Sequence, residues 1–212
     1  MVLGVLLGVF SAVLKDTFFD RFIAVISTLG MSIPSFFSAI IFAWLFGFVL
    51  HKYTHLEMTG SFYEVDDFGE GVYIKWKNLI LPSLVLGIRP LAVIIQLTRN
   101  SLLETMQQDY IRTARAKGLT TYEVVKKHAL KNSLNPVVTA VSGWFASMLA
   151  GAVFVEYIYN WNGIGKELIT ALNMKDYPVI IGISLLIASL FIVINILVDV
   201  IYSWLDPRVK LN

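Results

Sequence analysis

Few side chains in this sequence are spaced to do chemistry, and each set has a simple physical reading. His51 and His55 stand one helical turn apart with Glu57 just beyond, a spacing that could ligate a divalent metal. They lie where an apolar stretch ends, a place where polar residues need no special explanation, and no metal is expected there. Asn195 and Asp199 are also one turn apart and so share a helix face. Within a membrane such a pair could relay protons, but so near the tail a structural hydrogen bond is the expectation. Arg89 is the most informative single residue. It sits in the middle of the apolar stretch 80–98 and is followed by Pro90. A cation at mid-bilayer is expensive and normally faces a cavity or a partner; otherwise Pro90 breaks the helix and lets Arg89 snorkel outward. The sequence contains no His-Glu-x-x-His, no Gly-x-Ser-x-Gly and no phosphate-binding Gly-x-x-x-x-Gly-Lys-Ser/Thr loop. The chain is therefore not expected to be an enzyme, and any ATP hydrolysis would belong to another chain.

The elements that must position these residues are set by hydropathy. Of 212 residues 57% are hydrophobic and 15% charged, and the mean hydropathy is +0.70, far from an ordinary soluble domain. Lipid is the expected solvent. The net charge of +2 gives no argument for nucleic acid, and the absence of cysteine excludes disulfides and thiolate metal sites. Roughly 20 apolar residues cross a bilayer, and the segments 23–50, 80–98, 137–158 and 178–204 qualify. Met1–Leu14 is apolar but shorter, without a basic leader or a small-residue cleavage site, and is read as the remaining part of a spanning helix. The expected fold is thus an all-α polytopic membrane bundle of about five spans, the first partial, forming a single domain over 1–212.

Charge orients it. Alternating the loops puts Lys15, Arg21, Arg99, Arg112, Arg115, Lys117, Lys126, Lys127, Lys131, Arg208 and Lys210 on one side. The lysines of the other side, Lys52, Lys75, Lys77, Lys166 and Lys175, are diluted by Glu57, Glu64, Asp66, Asp67, Glu70, Glu167 and Asp176. The positive-inside rule makes the first side cytoplasmic. Segments 51–78 and 159–177 then face outward, the C-terminus lies inside, and Tyr53, Tyr63, Tyr73, Trp76, Tyr157, Tyr159 and Trp161 fall near outer span ends as an aromatic belt.

The inward segment of about 99–136 is too polar for lipid and too patterned for disorder. Two helices are predicted. Leu102–Lys117 closes at Gly118, suited to a left-handed residue; the second opens with Thr120 and Glu123 in capping-box spacing, ahead of Val124–Val125. Its basic run Lys126, Lys127, His128 is expected toward the C-terminal end, where cations suit the helix dipole. Such a hairpin could dock into another protein or lie on anionic lipid.

The residues Asp109-Tyr-Ile-Arg-Thr-Ala-Arg-Ala-Lys-Gly-Leu119 and Lys127-His-Ala-Leu-Lys-Asn-Ser-Leu-Asn-Pro-Val137 resemble the cytoplasmic signature loop of ABC-importer permeases, in the dipeptide and oligopeptide branch. Ser32-Ile-Pro-Ser-Phe36, Trp161-Asn-Gly-Ile-Gly165, Asp176-Tyr-Pro178 and Leu205-Asp-Pro-Arg208 agree in order along the chain, and Arg112-Thr113-Ala114 stands where the general signature has Glu-Ala-Ala. The branch usually has a further N-terminal spanning helix and a large outer region, neither of which this sequence shows.

This resemblance implies the type I importer permease fold in the bacterial cytoplasmic membrane. It implies ATP-driven import of di- or oligopeptides, with ATP and magnesium bound by partner subunits and no cofactor in this chain. The implied partners are a homologous second permease subunit, two ATP-binding subunits, an extracytoplasmic solute-binding protein and membrane lipid. Ala114, Gly118, Leu119, Thr120, Glu123 and Val124 would form or position the coupling contact with the ATP-binding subunit. Arg89 and Pro34 would belong to the pathway or subunit interface, and Trp161, Gly163 and Gly165 to the contact with the binding protein, where the two glycines would permit tight turning. A secondary transporter is the main rival, since it too needs broken helices and a buried charge, but it gives the hairpin no task. A truncated, non-transporting membrane subunit is the other alternative.

Overall fold

The computed structural model describes residues 1–65 and 71–205, with backbone only at 139, 141–143, 145–147, 149–151, 198, 199 and 201–205. Asp66, Asp67, Glu70, the side chain of Asp199 and the tail motif Asp206-Pro207-Arg208, together with Lys210, lie outside the described residues.

Helices dominate, as the hydropathy requires. In chain order they are α1 (Val2–Val13), α2 (Phe18–Ser32), α3 (Ser35–Phe42, continued by a wider π-type turn Ala43–Val49) and α4 (His51–Thr54). After a two-stranded ribbon come α5 (Ile80–Thr105), α6 (Asp109–Ala116), α7 (Thr121–Val124), α8 (Leu130–Ser133), α9 (Asn135–Ile158), α10 (Ile164–Met174) and α11 (Tyr177–Leu205). A π-type turn, Val125–Ala129, joins α7 to α8. The ribbon is an addition to the all-α expectation: β1 (Tyr63–Val65) and β2 (Val72–Ile74) pair antiparallel, Tyr63 opposite Ile74 and Val65 opposite Val72.

Among the described residues two helices are long and apolar enough to cross a membrane, Trp76–Thr105 and Tyr177–Leu197, and Phe18–Ser32 with Ser35–Val49 qualifies as a broken pair. The segment expected as one span over 23–50 is therefore interrupted. Pro34 is the reason: it lacks an N–H, and its ring biases the residue before it away from helix. It stands as N-cap of α3 with extended backbone (φ −61°, ψ 143°). Pro90 has no such effect, because α5 runs through it unbroken. Pro136 sits in the first turn of α9, where a missing N–H leaves no helical bond unmade.

The chain divides into two compact units, one of Met1–Ser32, Arg89–Trp144 and the residues from Val198, the other of Ile33–Ile88 and Phe145–Leu197. In the first, α1 lies directly on α5. Gly4 and Gly8, one turn apart, allow this approach: a Cβ on Gly8 would come within 2.6 Å of Thr98 Cβ and 2.7 Å of the Ile95 carbonyl oxygen. Small residues four apart are the usual device by which spanning helices come close. Below that contact Ala12, Leu102, Ile111, Ala114, Val124, Val125 and Ala129 form one buried core. In the second unit Ala39, Ala43, Leu81, Val85, Val155 and Tyr159 make the core. Tyr159, expected in the aromatic belt, is instead 2% exposed and donates its hydroxyl to the Ala39 carbonyl.

Candidate functional site

The hairpin is built from local chemistry. Helix α5 extends to Thr105, past the predicted start of the hairpin's first helix at Leu102. A turn over Met106–Gln108 follows, closed by the Gln107 and Gln108 amides donating to the Glu104 and Thr105 carbonyls. The division arises because Leu102 is buried with the α5 face while Asp109 favours the start of a new helix, α6. Gly118 closes α6 with φ +84°, and nothing lies within 4 Å of where its Cβ would be. Thr120 then caps α7. The Glu123 amide donates to Thr120 Oγ1 at 3.3 Å, while the Thr120 amide and hydroxyl donate to Glu123 Oε2 at 3.0 and 2.9 Å. The Thr120 amide holds the Glu123 carboxyl below its ordinary range. The second helix continues to Ser133, so Lys126, Lys127 and His128 lie in its middle rather than at its end. Their side chains point outward, with the Lys126 ammonium 5.6 Å from the Tyr122 ring centre.

The six hairpin residues singled out in sequence divide in two. Ala114 and Val124 are buried in the unit's core, with Leu119 packed against it. Gly118 and Thr120 are exposed, Glu123 half-buried, and beside them Tyr122 is 71% exposed. The buried members can act only by holding the exposed ones in place. Across the hairpin, Asn132 donates to the Tyr110 hydroxyl at 3.0 Å.

A constellation with no sequence signal lies in the same unit. Asp20 of α2 is 3% exposed and accepts from Arg99 Nε at 2.6 Å and Arg99 Nη2 at 2.8 Å, a bidentate pair between α2 and α5. Ser11 of α1 donates to the same carboxylate at 2.6 Å, and the Asp16 amide at 3.0 Å. Of the two, only Arg99 was legible, as a mark of the cytoplasmic side; Asp20 carried no reading at all. Arg89 is exposed, and its guanidinium carbon lies 5.5 Å from the ring centre of Trp144, a cation–π contact with no escape along a broken helix. Pro34, in the other unit, is exposed at the start of α3.

In the second unit, Trp161, Gly163 and Gly165 gather around Glu156, a residue that sequence reasoning missed. Glu156 Oε2 accepts from the amides of Gly165 (2.7 Å) and Lys166 (3.2 Å), capping α10 from the end of α9. The Glu156 carbonyl accepts from the Trp161 amide at 2.8 Å. The two glycines serve close approach rather than tight turning: neither has a left-handed backbone. A Cβ on Gly163 would collide with the Glu156 carboxylate, and one on Gly165 would lie 2.5 Å from Val153 Cα. Trp161 stacks on Phe62 at 6.2 Å, and Phe62 also meets Trp76 edge-on at 5.0 Å. The Asn162 amide donates to Ser61 Oγ, and the Gly60 amide to the Tyr159 carbonyl. The ribbon side is fixed by Lys75, which pairs with Glu57 at 2.7 Å and Glu64 at 3.0 Å, and by buried Asn78, which donates to Ser61 and Glu64. His51 Nδ1 is taken up by the Leu56 carbonyl at 2.7 Å. Among the described residues no three His, Asp or Glu side chains gather to hold a metal.

The family model of the binding-protein-dependent transport system inner membrane component matches residues 4–211. The chain belongs to that family. Its helices are accordingly those of a membrane protein, of the type I importer permease fold. Among relatives, a protein of Brucella suis biovar 1 is 40% identical over all 212 residues. The dipeptide transport system permease protein DppB of Alkalihalophilus pseudofirmus is 39% identical over 99% of this chain, and the protein of the same name in Escherichia coli K12 is 38% identical over 98%. The chain spans 65% of the length of the Brucella relative and 67% and 66% of these two.

Proposed function

We propose that this chain is a permease subunit of an ATP-driven importer of di- or oligopeptides in the bacterial cytoplasmic membrane, with the hairpin 106–134 inside and the loop 159–177 outside. The observation that carries the reading is the hairpin. It is rigid by its own caps and fused through one core to the ends of α1 and α5, so a push on its exposed Gly118–Tyr122 edge is delivered to two helices that run into the membrane. An amphipathic linker resting on lipid would need neither the buried core nor the reciprocal capping box. The names of the relatives, dipeptide transport system permease proteins, support the peptide as solute.

On this reading the hairpin edge docks in an ATP-binding subunit, of which two serve the complex, and a homologous second permease completes the pathway. ATP and magnesium are held by those subunits, and this chain holds no cofactor. Arg89, fixed by Trp144, lies toward the pathway or the second permease, as does Pro34. The loop bearing Trp161, Gly163 and Gly165 meets a solute-binding protein, and the rest of the surface meets lipid. None of α11's most apolar stretch is buried, which suits either lipid or the second permease.

The test is co-purification of the detergent-extracted chain with its ATP-binding subunits, native against a Gly118→Val/Glu123→Ala double variant. Stable association in the native form, lost in the variant with unchanged membrane content, is the expected result. Association in neither form, or equally in both, refutes the hairpin as the docking element.

A further inference from the structure

The permease reading gives the hairpin a partner but leaves open how its displacement reaches α2, which contributes nothing to the buried hairpin core. The Asp20–Arg99 pair is the connection the structure offers. Resting on that reading, we propose that Asp20 and Arg99, with Ser11, are positioning residues that make α1, α2 and α5 move with the hairpin as one body and so tie ATP hydrolysis to transport.

The argument runs from packing to charge. Helix α1 is held to α5 at successive turns of one face, by Gly4 against Ile94, Gly8 against Thr98 and Ala12 in the core with Leu102. These contacts are apolar and close, but none includes α2. Helix α2 is joined by polar bonds: Gln96 of α5 donates to Thr28 at 3.1 Å, and the Asp20 carboxylate gathers the Arg99 guanidinium, the Ser11 hydroxyl and the Asp16 amide. Arg99 lies one turn before Leu102, so the charge pair sits immediately above the hairpin core on the same helix. A planar guanidinium bound through two nitrogens fixes direction as well as distance. A pair this deeply withdrawn from water, with side chains 3% and 23% exposed, contributes little net stability compared with apolar residues of the same size. What it supplies is a single allowed geometry between three helices.

The test uses the assembled transporter, with ATP-binding subunits and binding protein, in proteoliposomes, measuring peptide imported per ATP hydrolysed. Asp20→Asn and Arg99→Gln each leave one partner unpaired in a buried site and lower assembly. The double variant Asp20→Asn/Arg99→Gln removes both charges and assembles. Expected in that double variant is near-normal ATP hydrolysis with import per ATP reduced by about tenfold. Import per ATP equal to wild type would overturn the proposal, because a merely structural pair lowers the yield of complex without changing its stoichiometry. Failure of all three variants to assemble would make the pair a folding requirement and overturn it equally. The wild-type arm reports on the permease reading separately: a wild-type complex without ATP-driven peptide import refutes that reading, and the proposal with it.

Discussion

Replacing Glu156 by alanine should loosen the start of α10 without disturbing α5. The Glu156 carboxylate is the acceptor for the Gly165 and Lys166 amides, two of the donors that a helix N-terminus cannot satisfy internally. Gly165 is buried and Lys166 half-buried, so water replaces the carboxylate poorly at the first and partly at the second. Leaving one such donor unpaired costs about 1–3 kcal/mol, and loss of an anion at a helix N-terminus adds roughly 0.3–1 kcal/mol. With partial hydration of Lys166 the sum is about 2 kcal/mol, or roughly thirtyfold in the local opening equilibrium. Amide hydrogen exchange of the detergent-solubilised protein reads this directly. Peptides covering 161–174 should exchange about thirtyfold faster in Glu156→Ala, while peptides from 91–105 stay unchanged. Glu156→Gln retains an acceptor oxygen and should show less than half of that effect in free energy. Unaltered exchange over 161–174 in the alanine variant would refute the cap as the element that orders this loop.

Other perturbations follow from the same geometry. Gly8→Ala forces α1 away from Ile95 and Thr98 and should destabilise the protein by about 1–3 kcal/mol, seen as a lower melting temperature in detergent; an unchanged melt would mean that the α1–α5 contact is not tight. Gly118→Val meets no neighbour, so its penalty is conformational, about 1–2 kcal/mol for a side chain at positive φ. Membrane content should be preserved and uptake lost, and normal uptake at equal expression would contradict the docking role. At Glu64 burial pushes the pKa up, but hydrogen bonds from Lys75 and Asn78 more than offset it and leave it lowered from 4.5. The ribbon anchor therefore contributes fully above that ordinary value and is lost as pH falls through the depressed one. Lys75, raised from 10.5 by Glu57 and then Glu64, contributes fully below 10.5 and is lost only on stronger alkalisation. Protease cleavage in the 59–78 segment should accordingly stay slow from pH 5 to 10 and rise at the acid extreme first, whereas cleavage independent of pH would argue that the ion pairs do not hold the ribbon.

What could be read in the sequence was what neighbours in the chain decide. Gly118 and the Thr120–Glu123 capping box are fixed by residues within one turn, and both form as expected. The apolar runs locate α5, α9 and α11 to within a few residues at their starts, because hydropathy over twenty residues outweighs any single side chain. Failures occurred where the deciding partner is remote. Arg99 and Asp20 are 79 residues apart, and each alone looks like a charge marking the end of an apolar run. Glu156 reaches amides nine and ten residues away across a turn whose shape depends on Asn160 being left-handed. Gly163 and Gly165 carried a signal, but it was ambiguous between turning and close approach, and only the position of Glu156 and Val153 decides it. Proline's missing N–H made kinks at Pro34, Pro82 and Pro90 plausible from the sequence; at Pro34 the chain goes further and breaks into two helices, while α5 runs through Pro90.

The hairpin also shows why a motif read from sequence is not the same as a contact surface. Ala114 and Val124 are among the residues that the resemblance assigns to forming or positioning the coupling contact, yet both are buried in one core with Leu102, Ile111 and Ala129, so in this fold they can only position it. Their requirement is steric: a small residue and a β-branched one let α6 and α7 close on the end of α5. Tyr122, outside the residues singled out, presents an aromatic ring at the exposed edge, with the Lys126 ammonium over it. A motif of this kind thus combines an inner row that sets the angle of the hairpin with an outer row that meets whatever docks there. The inner row is continuous with α1 and α5, the outer row is presented to solvent, and force applied to one must appear in the other. On the proposed reading, that continuity, rather than the identity of any one signature residue, is what would let the hairpin carry motion to a partner subunit.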